Sequence, residues 1–428
     1  MAHQHPTDLY TSLDHAKKEI RLLHLHQLQV SFLDEGYEDE SETDSASNIH
    51  CSCSIVSLDD DPQYDALSYV WGDASEVCHI ILDGMTIPVT ANLYEALSQV
   101  RHNTTTLWVD ALCINQSDLP ERSQQVSLMH RIYTQASSVL ISLGQTYNGS
   151  DAVIDFIELH GTRPNLHFDT VPETVGVDFR SEAFQLSLLA FFYLPWWTRI
   201  WTAQEWGLAK RAVFFCGERK LNGHHLQFFA QNSFAHDACC ATNKQFGKYT
   251  IDGRSVHAGL QKAALVRAQD VFQSWGYRGF VDVLATFQYR QCFNPRDKVF
   301  GLLGLAPESF RSKIILDYRR SPEEVFTDVV LAAIAETGNL NVLSYIYGRR
   351  AGNLNLPSFI PDFTADVQEK WVPNYLSRCF VTLDYYNACA SSTPDLKMTD
   401  TDEAVTSGVI IDVVQSTPHG RSIADLLA

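Results

Sequence analysis

Tyr64-Asp-Ala-Leu-Ser-Tyr-Val-Trp-Gly-Asp73 is the stretch on which the fold turns. Tyr64, Ala66, Leu67, Tyr69 and Val70 supply β-forming apolar bulk, and Gly72-Asp73 supplies a break. The stretch reads as a buried strand running straight into a turn. Ser68, Trp71, Gly72 and Asp73 then arrive together at the strand's carboxyl end, where open α/β sheets bind ligands. The same ten residues also suit an ordinary core strand with a capped turn.

Further along, Asp83-Gly84 between apolar runs is a hairpin signal. A helix is expected from Thr90 or Asn92, with Leu93, Ala96, Leu97 and Val100 on one apolar stripe. Residues 106–114 (TLWVDALCI) form a near-continuous apolar run, as in a parallel strand buried on both faces. Asp118 and Glu121 have the spacing of a capping box, and the helix they open carries Val126, Met129, Tyr133 and Ala136 on one side. Residues 138–143 read as a third strand and 212–216 (AVFFC) as a fourth. Strand, helix, strand, helix, strand, joined by right-handed crossovers, gives a doubly wound parallel sheet.

Four segments follow from this pattern. Residues 1–62 are an extension with a strand at 20–25, an acidic loop at 36–47 and a second strand at 52–58 paired with the first. Residues 63–217 are the α/β unit, with an insertion at 145–195. Residues 218–345 are mostly helical: 262–275 and 281–289 are periodic, and Ser321-Pro-Glu-Glu324 opens a helix that Gly338 ends. Residues 346–428 form a small mixed or β unit, with β runs at 379–383 and 409–414.

The chain of 428 residues is too long for one compact core, and 45% hydrophobic content marks it as folded. A net charge of -19 argues against a nucleic-acid or anionic-membrane binder, since both need a basic footprint. The ten cysteines lack the spacing of a disulfide scaffold. With no apolar leader and no run of about 18 apolar residues, a soluble cytoplasmic protein is expected. Cys51-x-Cys53, and Cys239-Cys240 with nearby His236, are candidate metal ligands but lack four-ligand spacing, so no metal centre is expected, and no resident cofactor is expected. Walker-type loops, a GxGxxG after the first strand and a GxSxG elbow are all missing.

The chemistry concentrates in 195–209. Trp197, Trp201, Glu205 and Leu208 fall at helical spacing, so Trp201 and Glu205 share a face. Apolar neighbours should raise the Glu205 pKa and make it a catalytic candidate. Arg199 is close enough to neutralise it, which leaves a buried Arg–Glu pair as the alternative. Asp110, inside an apolar run, must find donors: a ribose hydroxyl, or the backbone of the following loop, with the backbone favoured. Arg296 and Asp297 look like an ion pair at a helix start.

Taken together, several blocks resemble the fungal heterokaryon-incompatibility (HET) domain family. They are YDALSYVWGD (64–73), NLYEAL (92–97), LWVDALCINQSDLPERSQQVSLMHRIYTQASSVLISLG (107–144) and RIWTAQEWGLAKRAVFFCG (199–217). NPRDKVFGLLGLAP (294–307), DYRRSPEEVFTDV (317–329) and LPSFIPDF (356–363) are similar to regions that follow that domain. The resemblance implies a role in allorecognition and programmed cell death when different hyphae fuse. It also implies a fold distantly similar to Toll/interleukin-receptor (TIR) domains, some of which cleave NAD with a glutamate in a Trp-Cys-x-x-Glu helix. Trp201-Thr-Ala-Gln-Glu205 keeps that spacing, with Thr202 in place of Cys. On this likeness NAD is a substrate, Glu205 the catalytic group, and Ser68, Trp71, Gly72, Asp73, Asp110 and Trp201 line its site. Self-association and an unidentified allorecognition partner are the expected contacts, with no nucleic acid and no membrane. A non-catalytic recognition or assembly module is the alternative.

Overall fold

The computed structural model describes residues 10–26, 49–163, 165–168, 178–240 and 279–338, and residues 354–365 other than 358. Short pieces at 250–251, 254–256, 259, 340, 342, 396–398 and 404–406 complete the described chain. The extension supplies β1 (Glu19–Leu25) and β2 (His50–Ser57), paired antiparallel as expected. The opening stretch becomes β3 (Asp65–Ser68). A hairpin follows, β4 (Val77–Leu82) and β5 (Met85–Thr90), turning at Asp83 and Gly84, both with positive φ. The Thr90 side chain then caps α1 (Ala91–Val100), whose buried residues are Leu93, Ala96, Leu97 and Val100.

Next come β6 (Thr106–Trp108), α2 (Asp110–Cys113), α3 (Leu119–Gln135) and β7 (Val139–Ser142). The insertion contributes α4 (Ser150–Thr162) and α5 (Glu182–Phe192). After α6 (Thr202–Gly207) the chain forms β8 (Ala212–Cys216), β9 (Arg219–Asn222), α7 (Gly223–Ala235) and α8 (Asp237–Cys240). Two-residue strands β10 (Thr250–Ile251) and β11 (Arg254–Ser255) pair with each other. Downstream lie α9 (Phe280–Phe287), α10 (Asp297–Leu303), α11 (Glu308–Arg311) and α12 (Pro322–Thr337). The full capping box at Ser321 and left-handed Gly338 bound α12 as expected. A last hairpin joins β12 (Leu396–Met398) to β13 (Ala404–Thr406). The expected elements at 262–275, 379–383 and 409–414 lie outside the described residues.

One nine-stranded sheet runs β5-β4-β2-β1-β6-β3-β7-β8-β9. The four strands expected to be parallel, β6-β3-β7-β8, are adjacent and mutually parallel. From β3 the chain goes first to β6 on one side and then to β7 on the other, so β3/β7 is a topological switch point. The sheet as a whole is mixed rather than doubly wound and parallel. β1 runs antiparallel to both β2 and β6, and the β4–β5 and β8–β9 hairpins are antiparallel. Two-residue connections impose this in the β4–β5 and β8–β9 hairpins, since a parallel pair needs a longer crossover.

Residues 106–114 do not make one strand. The chain leaves the sheet after Trp108 and turns into α2, whose Leu112 and Cys113 amides donate to the Val109 carbonyl. An apolar run buried in a helical turn has the same sequence signature as a buried strand. The capping box at α3 is also only half formed. Asp118 caps the Glu121 amide, while the Glu121 side chain accepts from Asn115 and from Arg21. Arg21, from β1, is 2% exposed and holds Glu121 through two bonds of 2.6 and 3.0 Å. This buried pair ties the extension to the start of α3.

Gly301 in α10 and Gly304 just after it have a packing role. A methyl at Gly301 would come within 3.0 Å of Ile200, and one at Gly304 within 2.4 Å of Gln204. Bare glycines let α10 lie close against α6. Among the described residues no helix is long and apolar enough to cross a membrane.

Candidate functional site

β3 ends at Ser68, 1% exposed, at the switch point. Across from it stands Glu205 on α6, 2% exposed. The Ser68 hydroxyl donates to Glu205 Oε2 in a short hydrogen bond and accepts from the Trp196 indole N–H at 2.8 Å. Burial pushes the Glu205 carboxyl up to about 7, opposed by Arg199, the Ser68 bond and Arg290, and reinforced by the charge of Asp110. Among the described residues no guanidinium lies within ion-pair distance of Glu205. Arg199 instead donates to the Tyr69 carbonyl in a short bond, and Arg290 donates to Thr202 Oγ1 at 2.7 Å. The buried Arg–Glu pair is therefore absent, although both arginines bear on the carboxyl at longer range.

The second carboxyl, Asp110, heads α2 and is half-buried. It accepts from the Trp71 indole N–H at 2.8 Å and from the Ala111 amide at 2.8 Å. Its pKa is raised by burial, with Arg199 and the Trp71 bond opposing. The favoured expectation for Asp110, bonds to nearby backbone, covers only part of its contacts. The chain thus brings its predicted residues together as two adjoining pairs, Ser68 with Glu205 and Trp71 with Asp110, with Arg199 acting electrostatically on both carboxyls.

Other candidates face elsewhere. Gly72 is exposed with φ +76, packed on Asn92, whose amide donates to the Val70 carbonyl. Asp73 is exposed and accepts from the Ser75 amide at 2.9 Å, which lowers its pKa. Trp201 lies against Asp297, where its side chain favours the charged carboxylate. Asp297 also accepts from the Tyr318 hydroxyl at 2.8 Å, while Arg296 turns to Asn294 and the Arg320 carbonyl. The Arg296–Asp297 pair is thus replaced by a Tyr318–Asp297 hydrogen bond. Trp197 and Glu205 do not share one helix either. Residues Pro195–Thr198 make a separate 3₁₀ turn, and the Ile200 amide bonds to the Gln291 carbonyl before α6 begins.

A cavity of about 280 Å³ lies nearby, lined by residues including Arg290, Gln291, Cys292, Lys298 and Thr364. It does not include Ser68 or Glu205. Arg290 is fully buried, and its Nε and Nη2 have no hydrogen-bond partner among the described residues.

Residues 64–205 match the family described as Heterokaryon incompatibility protein (HET). The chain is also 26% identical over 421 residues to "Heterokaryon incompatibility protein 6, OR allele" of Neurospora crassa, covering 86% of this chain and 59% of that one. Residues 64–205 thus carry a region similar to the HET family. No solved structure matches this chain significantly.

The HET match runs from Tyr64, just before β3, to Glu205 itself. Its two ends are the strand and the helix that meet at the Ser68–Glu205 bond. The chain spans about three-fifths of the length of the curated relative. Two partners of the HET site escaped the sequence reading. Trp196 sat in an aromatic run that signals only core, and Arg290 lies 85 residues beyond Glu205, just after α9, with no motif of its own.

Proposed function

We propose that this chain is a fungal allorecognition protein acting in heterokaryon incompatibility, and that its HET domain works through protein contacts in the conformation described. The observation that carries this reading is closure of the Glu205 carboxyl. Glu205 is 2% exposed, Ser68 1% and Trp196 0%, so a dinucleotide has no route to the acid. Self-association, or docking of an unidentified allorecognition protein, would then trigger regulated cell death. The family match and the likeness to heterokaryon incompatibility protein 6 support the biological role.

A second reading has its own support. Glu205 is a buried acid pushed up to about 7, with no ion-pair partner among the described residues, at the switch point between the parallel strands β3 and β7. Such groups concentrate at functional sites. In an opened state the carboxylate would stabilise the positive charge that develops on ribose as the nicotinamide–ribose bond of NAD breaks. Ser68 would line that pocket, Trp71 would stack on a planar base, and Asp110 would hold a ribose hydroxyl.

One experiment separates them. Purified chain is incubated with NAD over a range of protein concentrations, and nicotinamide release is followed. Wild type and Glu205→Gln are then scored for incompatibility in a fungal host. The first reading expects no release and an intact response from Glu205→Gln. Release that vanishes in Glu205→Gln, together with loss of the response and an unchanged circular dichroism spectrum, would overturn it in favour of NAD cleavage.

A further inference from the structure

Four metal-binding side chains converge away from the Ser68–Glu205 pair. His167 sits in the loop after α4, His236 follows α7, and Cys239 and Cys240 end α8. One ligand atom from each lies within 4.8 Å of every other. His167 Nδ1 is 3.3 Å from Cys240 Sγ, and His236 Nδ1 is 3.3 Å from Cys239 Sγ. The two sulfurs are 3.7 Å apart, and His236 Nδ1 is 3.8 Å from Cys240 Sγ.

These separations are close to the edges of a metal-centred tetrahedron. With Zn–S near 2.3 Å and Zn–N near 2.05 Å, tetrahedral geometry puts the sulfurs about 3.8 Å apart and sulfur and nitrogen about 3.5 Å apart. A disulfide would instead bring the sulfurs to about 2 Å. The local sequence explains how three ligands meet. His236-x-x-Cys239-Cys240 places both thiols three and four residues after the imidazole, and the Cys240 amide bonds to the His236 carbonyl at 2.9 Å, completing the helical turn. The fourth ligand comes from 73 residues upstream of Cys240, which is why no linear spacing revealed it. His236 and Cys240 are buried, while His167 and Cys239 are exposed, so an ion could enter from the His167 side. Phe168 packs edge-on against the His236 ring at 5.6 Å and supplies an apolar wall.

We infer that His167, His236, Cys239 and Cys240 form a structural zinc site that clamps the loop after α4 to α7 and α8. Two thiolates and two imidazoles in a tetrahedral array suit Zn²⁺ over harder cations. With all four positions supplied by protein, the ion braces the fold and leaves no open position for a reacting water. Binding displaces the two thiol protons to solvent as the Zn–S bonds form, with no change in oxidation state.

The test uses the full chain, purified under reducing conditions after growth with zinc and desalted. Metal is measured by mass spectrometry, and Co²⁺ exchanged into the protein is examined by visible absorption. The expected result is one zinc per chain, together with the intense ligand-field bands of tetrahedral cobalt bearing thiolate charge transfer. Cys240→Ser and His167→Gln should each lose the bound zinc and those bands. His167→Gln changes an exposed loop residue, so it keeps the test valid if Cys240→Ser fails to fold. A chelator should lower the melting temperature of wild type and leave that of His167→Gln unmoved. Reduced wild type that binds zinc at well below one per chain would overturn the site, as would full zinc retention in His167→Gln. A Cys239–Cys240 disulfide found in place of the metal would overturn it as well.

Discussion

Glu205→Gln keeps the shape and hydrogen-bonding reach of the side chain and removes only its ionisation. In the folded chain, burial pushes this carboxyl up to about 7 from its ordinary 4.5. The folded state therefore holds the proton more tightly than the unfolded chain does. Below about pH 4.5 the group does not oppose folding, and its ionisation weighs against the fold as pH rises through 7. At about 1.4 kcal/mol per tenfold difference, the full effect is about 3 kcal/mol, most of it developing between pH 5 and pH 7. At 2% exposure little solvent screening reduces it. The assay is urea unfolding of wild type and Glu205→Gln at half-unit steps from pH 5 to pH 8. Taking the difference between the two proteins cancels other titrating groups, such as Asp297, which burial pushes up to about 6. The variant should gain on wild type from pH 5 to about pH 7 and level off above that. A difference that stays flat from pH 5 to pH 8 would mean an ordinary, hydrated carboxyl and would remove the physical basis of the closed site.

Ser68→Ala strips one donor from Glu205 and the acceptor from the Trp196 indole, so it should cost about 1–3 kcal/mol in denaturant unfolding. It should also move the pH-dependent loss to higher pH, since the Ser68 bond favours the charged acid. Arg21→Met leaves Glu121 buried and unpaired and should cost about 3–5 kcal/mol, while Arg21→Met with Glu121→Leu should recover most of that loss in the same assay. Gly161→Ala would place a methyl 2.3 Å from the His225 carbonyl where α4 crosses α7. Overpacking of this kind costs about 1–3 kcal/mol, enough to exceed the roughly 1 kcal/mol helix gain, and thermal melting should show the loss.

Much of the parallel core was legible because it is written locally. Apolar runs closed by turn residues mark β3, β7 and β8, and Thr90, Asp118 and Ser321 announce the helices they cap. The run at 106–114 misled because burial in a strand and in a helical turn select the same side chains. The mixed character of the sheet was hidden for a different reason. β1 lies between β2 and β6, a placement set by pairing partners and by the Arg21–Glu121 pair, whose members are 100 residues apart.

The sequence by itself determined most strands and capped helices of the parallel core, and it nominated Ser68, Asp110 and Glu205 as polar groups in apolar surroundings. Periodicity and capping are short-range, so a single stretch of chain carries them. Only the tertiary structure decided that Ser68 and Glu205, 137 residues apart, share a hydrogen bond out of reach of water. Only it brought His167 to His236, Cys239 and Cys240. Whether a polar atom is paired, charged or closed off depends on what packs across from it, and those neighbours come from distant parts of the chain.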